Sequence, residues 1–254
     1  MTETEKLPPR TFGIKDIFTC INLLGGVLAI IFCIHGRPDY ASYSILLGYI
    51  CGDALDGFVA RLTNTSNTFG AEFDSISDHL TQCVAPAAIV YSFYQDISVY
   101  LAGALASLLI ITGSVRHARG TTVSTNFPGA YMGLPRTISS FLIIAFLNSG
   151  LLLGIPGFLW VGVGLLVLVS VAHLLPLPFR THKSGQKGFE KLLALSFFST
   201  TILAFVFIRP YTFDMVFVWL FSYTVLSWRA LEPHEMKAFF ARAREWSLAI
   251  RRAR

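Results

Sequence analysis

Eight apolar runs dominate this chain, at about residues 17–35, 40–60, 75–94, 98–115, 136–153, 156–176, 190–208 and 212–230. Most approach the ~20 residues that an α-helix needs to cross the hydrocarbon core of a bilayer. Lipid offers no water to backbone polar groups, so only helices and closed barrels span it. Composition favours the helical answer: 54% of residues are hydrophobic and 14% charged, against about a quarter charged in soluble domains. The runs predict an all-α, polytopic transmembrane helical bundle of about eight spans.

Basic residues mark alternate loops. Lys6, Arg10 and Lys15 flank the start of the first run, and Arg61 follows the second. Arg116, Arg119 and Arg136 border the loop after the fourth, and Arg180, Lys183, Lys187 and Lys191 the loop after the sixth. Six more basic residues, Lys237 to Arg254, lie in the tail. The other loops are nearly uncharged. By the positive-inside rule both termini are cytoplasmic. The expected location is the cell membrane, multi-pass, and the net charge of +5 reads as topology, with no nucleic acid as partner.

Three regions follow. Residues 1–16 form a cytoplasmic or interfacial segment, with TFGIKDIF (11–18) as a short lead-in helix. Residues 17–231 form the transmembrane domain. Residues 232–254 read as a basic amphipathic tail, whose Phe239, Phe240, Trp246 and Ile250 suit the anionic cytoplasmic leaflet. Cys20, Cys33, Cys51 and Cys83 sit in apolar runs without CxxC spacing and read as buried small hydrophobes. His35, His173, His182 and His234 read as incidental.

Against this apolar background, GDALDGFVARLTNTSNTFGAEFDSISDHL (52–80) carries four aspartates. The second run descends to the cytoplasm and ends at Asp53 and Asp56, spaced i, i+3. The third returns through Asp74 and Asp78, spaced i, i+4. In α-helices each pair shares one face. The hairpin therefore gathers four carboxylates near its cytoplasmic end, where a hard divalent cation, Mg2+ or Mn2+, would offset their repulsion. Gly57 and Ala60 leave room for a ligand beside the acids, Gly70 opens the turn, and Arg61 supplies a cation suited to phosphate. Together they point to a diphosphate substrate. A carboxylate relay in an ion transporter is the rival reading, and it expects acids nearer the bilayer midplane.

The string Asp53-x2-Asp56-Gly57-x2-Ala60-Arg61-x8-Gly70-x3-Asp74-x3-Asp78 resembles the signature of the CDP-alcohol phosphotransferases, with eight fixed residues over 26 positions. The resemblance implies a membrane enzyme, usually a homodimer, that displaces CMP from a CDP-alcohol with a second hydroxyl. It implies Asp53, Asp56, Asp74 and Asp78 as ligands of two Mg2+ or Mn2+ ions, with Asp78 also the base. It implies Thr19, Asn22, Gly57, Ala60, Arg61 and Gly70 as the CDP-lipid site. FTCINLLGGVLAI, VAPA, Arg116-His117-Ala118-Arg119 and Tyr131-Met132-Gly133-Leu134-Pro135 are similar to the branch that joins CDP-diacylglycerol to serine. The likeness covers about residues 15–150, which sets the catalytic core at about 17–150. Departures, such as RHARGT where that branch reads RLARFN, spare the acids and bear on the acceptor. A serine carboxylate calls for arginine, and Arg116, Arg119 and Arg136 are the candidates. Inositol phosphate or glycerol phosphate would also want arginines, whereas choline would want an aromatic cage.

Overall fold

The computed structural model describes residues 12–55, 68–122, 130–180 and 189–252, in two compact units, Met1–Ala102 and Gly103–Arg254. The first unit is organised by α1 (Ile14–Ile34). The expected lead-in helix is not separate from the first span. The Gly13 N–H donates to Asp16 Oδ2 at 2.7 Å, which caps the helix at its true start, and nothing downstream interrupts it.

Two helical arms pack on α1. One is α2 (Pro38–Gly48), which continues into a π-helical turn over Tyr49–Asp53. The other is α3 (Thr68–His79), a second π-helical turn over Leu80–Val84, then α4 (Ala85–Tyr94). Pro86 has no N–H for the carbonyl four residues back, and the chain passes through the π turn just before it. Adjacent glycines on α1 seat the two arms. A Cβ on Gly25 would lie 2.8 Å from Gly48 Cα and 2.8 Å from the Ser44 carbonyl. A Cβ on Gly26 would lie 2.7 Å from the side chains of Leu80 and Thr81. Ser44 Oγ donates to the Gly25 carbonyl at 3.0 Å. Small residues and hydroxyl bonds of this kind let helices approach closely in membranes.

The second unit holds most of α5 (Val99–Thr122), then β1 (Ala130–Met132), α6 (Arg136–Leu147), α7 (Phe158–Leu174) and β2 (Pro178–Arg180). It ends with α8 (Phe189–Phe207), α9 (Thr212–Leu226) and α10 (Pro233–Arg252). The unit is thus not wholly helical: β1 and β2 pair antiparallel, with Tyr131 opposite Phe179. Tyr223 on α9 anchors this ribbon by donating to the Arg180 carbonyl at 2.7 Å. The tail helix covers it, with Phe239 fully buried beside Ala130, Met132 and Leu231. Phe239 therefore faces protein, not the leaflet, while Phe240 is exposed. At the start of α9, buried Asp214 accepts from Ser149 Oγ and from the Gly150 and Leu151 N–H groups, which ties the turn after α6 to α9.

Large apolar side chains stand outward along the helices, among them Leu24, Ile31, Ile111, Trp160, Leu168, Leu203 and Phe207. So much exposed apolar surface suits contact with lipid. Among the described residues, Ile14–Ile34 and Val99–Gly120 are long and apolar enough to cross a membrane, and Arg136–Leu147, Phe158–Leu174 and Leu195–Phe207 are shorter apolar helices. The four cysteines are free as expected, but only Cys83 is buried, and Cys51 is exposed.

The α1–α2 crossing predicts a sharp contrast. Gly25→Leu drives a side chain into backbone and should cost about 3 kcal/mol or more. A Cβ on Gly103 meets nothing within 4 Å, so Gly103→Leu should be tolerated. Thermal melts of the two variants in detergent check this; equal melting temperatures would contradict the close crossing.

Candidate active site

Three of the four aspartates meet. Asp53, Asp74 and Asp78 each offer a carboxylate oxygen, these oxygens lie within 4.8 Å of one another, and all three residues are partly buried. Asp74 and Asp78 share a face of α3, as their spacing predicted. Asp53 differs, because it ends a π-helical turn and the α-helix resumes only at Ala54. The face that the i, i+3 spacing expected it to share with Asp56 falls outside the described residues.

Asn22 of α1 is the point to which both arms are referred. Its Nδ2 donates to Asp78 Oδ1 at 3.3 Å, and it is 2% exposed. Gly52, next to Asp53, lies so close that a Cβ would be 2.5 Å from the Asn22 backbone nitrogen and 2.7 Å from the Phe18 carbonyl. One turn earlier, fully buried Thr19 accepts at its carbonyl from Ser77 Oγ at 3.3 Å. Thr19 and Asn22 thus fasten α3 to α1. Gly70 sits one turn before Asp74, where a Cβ would be 2.5 Å from Lys15 Nζ and 2.6 Å from Asp16 Oδ1. Asp56, Gly57, Ala60 and Arg61 lie outside the described residues.

Carboxylates this close repel by about 3–4 kcal/mol per pair at an effective dielectric constant near 20. Asp74 Oδ1 is buried with no hydrogen-bond partner among the described residues. A hard divalent cation takes oxygen ligands at about 2.0–2.6 Å, so oxygens that share one ion stand roughly 3–5 Å apart. The spacing, the all-oxygen donor set and the unpartnered Asp74 oxygen fit such an ion.

The second unit brings Arg116 and Arg119 to a pocket of its own, lined also by Gly120, Tyr131 and Met132; Arg136, the third predicted arginine, does not line it. Arg116 Nη2 donates to the Gly133 carbonyl at 3.4 Å, while its Nε is buried and has no partner among the described residues. Arg136 is 8% exposed, with Nη1 likewise without a partner among the described residues. Arg119 differs: it donates twice to the Leu174 carbonyl, at 3.0 and 3.1 Å. Among the described residues neither Arg116 nor Arg136 makes an ion pair. Open N–H donors on half-buried Arg116 and buried Arg136 suit acceptor oxygens of an anion. His173, read as incidental, is instead buried between these elements and bonded at both ring nitrogens.

The chain matches the CDP-alcohol phosphatidyltransferase family over residues 13–175. It is 31% identical over 221 residues to a CDP-diacylglycerol–serine O-phosphatidyltransferase of Helicobacter pylori, covering 84% of this chain and 90% of the relative. It is 33% identical over 167 residues to a protein of that name in Methanocaldococcus jannaschii, covering 65% and 75% of the two chains. It is also 29% identical over 164 residues to an archaetidylserine synthase of Methanothermobacter thermautotrophicus, covering 63% and 69%.

The acid cluster predicts metal-dependent stability. At a hundredfold excess over Kd, Mn2+ should raise the melting temperature by about 5–10 °C. Asp53→Asn and Asp74→Asn should remove most of that shift. A wild-type protein that melts identically with Mn2+ and with chelator would contradict the site.

Proposed function

We propose that this chain, which belongs to the CDP-alcohol phosphatidyltransferase family, transfers a phosphatidyl group from CDP-diacylglycerol to the hydroxyl of serine and releases CMP. The observation that carries the reading is the convergence of Asp53, Asp74 and Asp78 on one point. The names of the relatives support serine as the acceptor.

Each residue then has a task. Asp53, Asp74 and Asp78, with Asp56, hold Mg2+ or Mn2+, two ions on this reading. When bound, the metal supplies positive charge to the diphosphate and to the charge that develops on CMP as it departs. Gly57, Ala60, Arg61 and Gly70, with Thr19 and Asn22, belong to the CDP-lipid site, where Thr19 and Asn22 act by holding the arms in place. Asn22 fixes one oxygen of Asp78 and so orients that carboxylate. Asp78 takes the proton from the serine hydroxyl. The freed oxygen attacks the β-phosphorus, a new ester O–P bond forms, and the bond from that phosphorus to the bridging oxygen breaks. CMP carries away the bridging oxygen and its electrons. Arg116, Arg119 and Arg136 recognise the acceptor's carboxylate, with the open donors of Arg116 and Arg136 making the primary contacts.

The setting follows from the apolar runs and the loop charges. About eight spans, both termini in the cytoplasm and a site facing the cytoplasm let the lipid stay in the cell membrane while serine and CMP exchange with water. A homodimer completes the proposal.

The test is CMP release by purified protein given CDP-diacylglycerol, serine and Mn2+ or Mg2+. Asp78→Asn should lower kcat by about 10²–10⁴-fold while CDP-diacylglycerol still binds. EDTA should abolish turnover and added metal restore it. Full activity in EDTA, or turnover retained while lipid binding is lost in Asp78→Asn, would refute this assignment.

A further inference from the structure

We propose that His173 is a positioning residue whose ring sets the separation of Arg116 and Arg136, and through them the recognition of the acceptor's carboxylate. The inference rests on the role given to those arginines above. His173 lies in the last turn of α7 and is 1% exposed. Its Nδ1 is 3.2 Å from Thr112 Oγ1 on α5, and its Nε2 is 2.6 Å from Ser139 Oγ on α6. Thr112 stands four residues before Arg116 and Ser139 three after Arg136, so each hydroxyl is one helical turn from its arginine on the same face. Ser139 Oγ also lies 2.8 Å from the Arg136 carbonyl. The ring therefore joins the turn that carries Arg116 to the turn that carries Arg136.

The backbone around His173 repeats the pattern. A Cβ on Gly133 would fall 2.7 Å from the His173 carbonyl, and Gly133 has φ +75°, a conformation that favours glycine. The Leu134 N–H donates to the Ala172 carbonyl at 3.0 Å. The Gly133 carbonyl in turn receives Arg116 Nη2, and Arg119 donates to Leu174. Side-chain or backbone contacts thus tie all three arginines to residues 172–174.

The chemistry explains why a histidine serves. A neutral imidazole donates at one nitrogen and accepts at the other, so it holds two hydroxyls on two helices at once. Arg116 and Arg136 act on each other as like charges, and both act on His173. With no acid paired to either among the described residues, the scaffold holds the turns that carry them together against that repulsion.

The test uses the full-length enzyme in lipid nanodiscs, with KM measured separately for serine and for CDP-diacylglycerol. His173→Leu should raise the serine KM about tenfold, and Thr112→Val and Ser139→Ala each about three- to tenfold. The KM for CDP-diacylglycerol should stay within about twofold throughout, since no arginine link to that substrate is changed. In an Arg136→Met background, His173→Leu should add little further loss, because the ring acts through that arginine. Should His173→Leu not fold, Thr112→Val and Ser139→Ala carry the test. Additive losses, or parallel losses in both KM values, would show a merely structural histidine and overturn the inference. If Arg116→Met and Arg136→Met leave the serine KM unchanged, the acceptor assignment falls and this inference with it. If they raise it while the His173, Thr112 and Ser139 variants do not, this inference alone falls.

Discussion

The close approach of α1 to its two neighbours governs where Asp53, Asp74 and Asp78 stand. Gly25 admits the backbone of α2 at Gly48, and Gly26 admits the turn at Leu80 and Thr81. With both arms seated, Gly52 presses against Asn22 and the Asn22 side chain reaches Asp78. The three carboxylates meet because the helices that carry them are referred to one strut. The energetic logic is a trade: the packing gained at small residues offsets the repulsion among acids, and a cation relieves what remains. A pair of π-helical turns, at Tyr49–Asp53 and Leu80–Val84, flank this cluster, as such turns often do at functional sites.

The second unit solves the opposite electrostatic problem by similar means. Arg116 and Arg136 are cations without an anion among the described residues, and backbone carbonyls and hydroxyls hold the elements that bear them. The ribbon of β1 and β2 and the buried face of α10 close over the same region at Met132. A tail that reads as a membrane-surface helix thus spends part of its apolar face on the protein. Polar atoms of Asp74, Arg116 and Arg136 are left open among the described residues, whereas the turn around Asp214 satisfies its buried carboxylate.

The acids were legible in the sequence because a charge in an apolar run stands out and because D-x3-D reads directly as one helical face. The apolar runs likewise located most of the helices, although one run covers both α3 and α4, α3 starts at Thr68 before its run, and α5 extends to Thr122 beyond its own. What escaped depends on contacts that spacing does not encode. Asp53 ends a π-helical turn, which spacing alone does not reveal. The bond from Ser77 Oγ to the buried Thr19 carbonyl joins residues 58 apart, which no motif announces. His173 is far in sequence from Thr112 and Ser139, and a single histidine in an apolar run carries no pattern. Three-residue strands are too short to alternate visibly, although Tyr131 and Phe179, each at the centre of its strand, leave a faint trace. Gly133 was visible as part of a motif, and only the approach of α7 explains it.

The central claim is that Asp53, Asp74 and Asp78 together hold the metal that engages the diphosphate of the lipid donor. Electron–nuclear double resonance on Mn2+-loaded protein tests it most directly. On addition of CDP-diacylglycerol the account predicts a phosphorus-31 coupling to the bound Mn2+, lost in Asp74→Asn. A bound Mn2+ whose spectrum shows no phosphorus coupling in the presence of saturating lipid donor would contradict it.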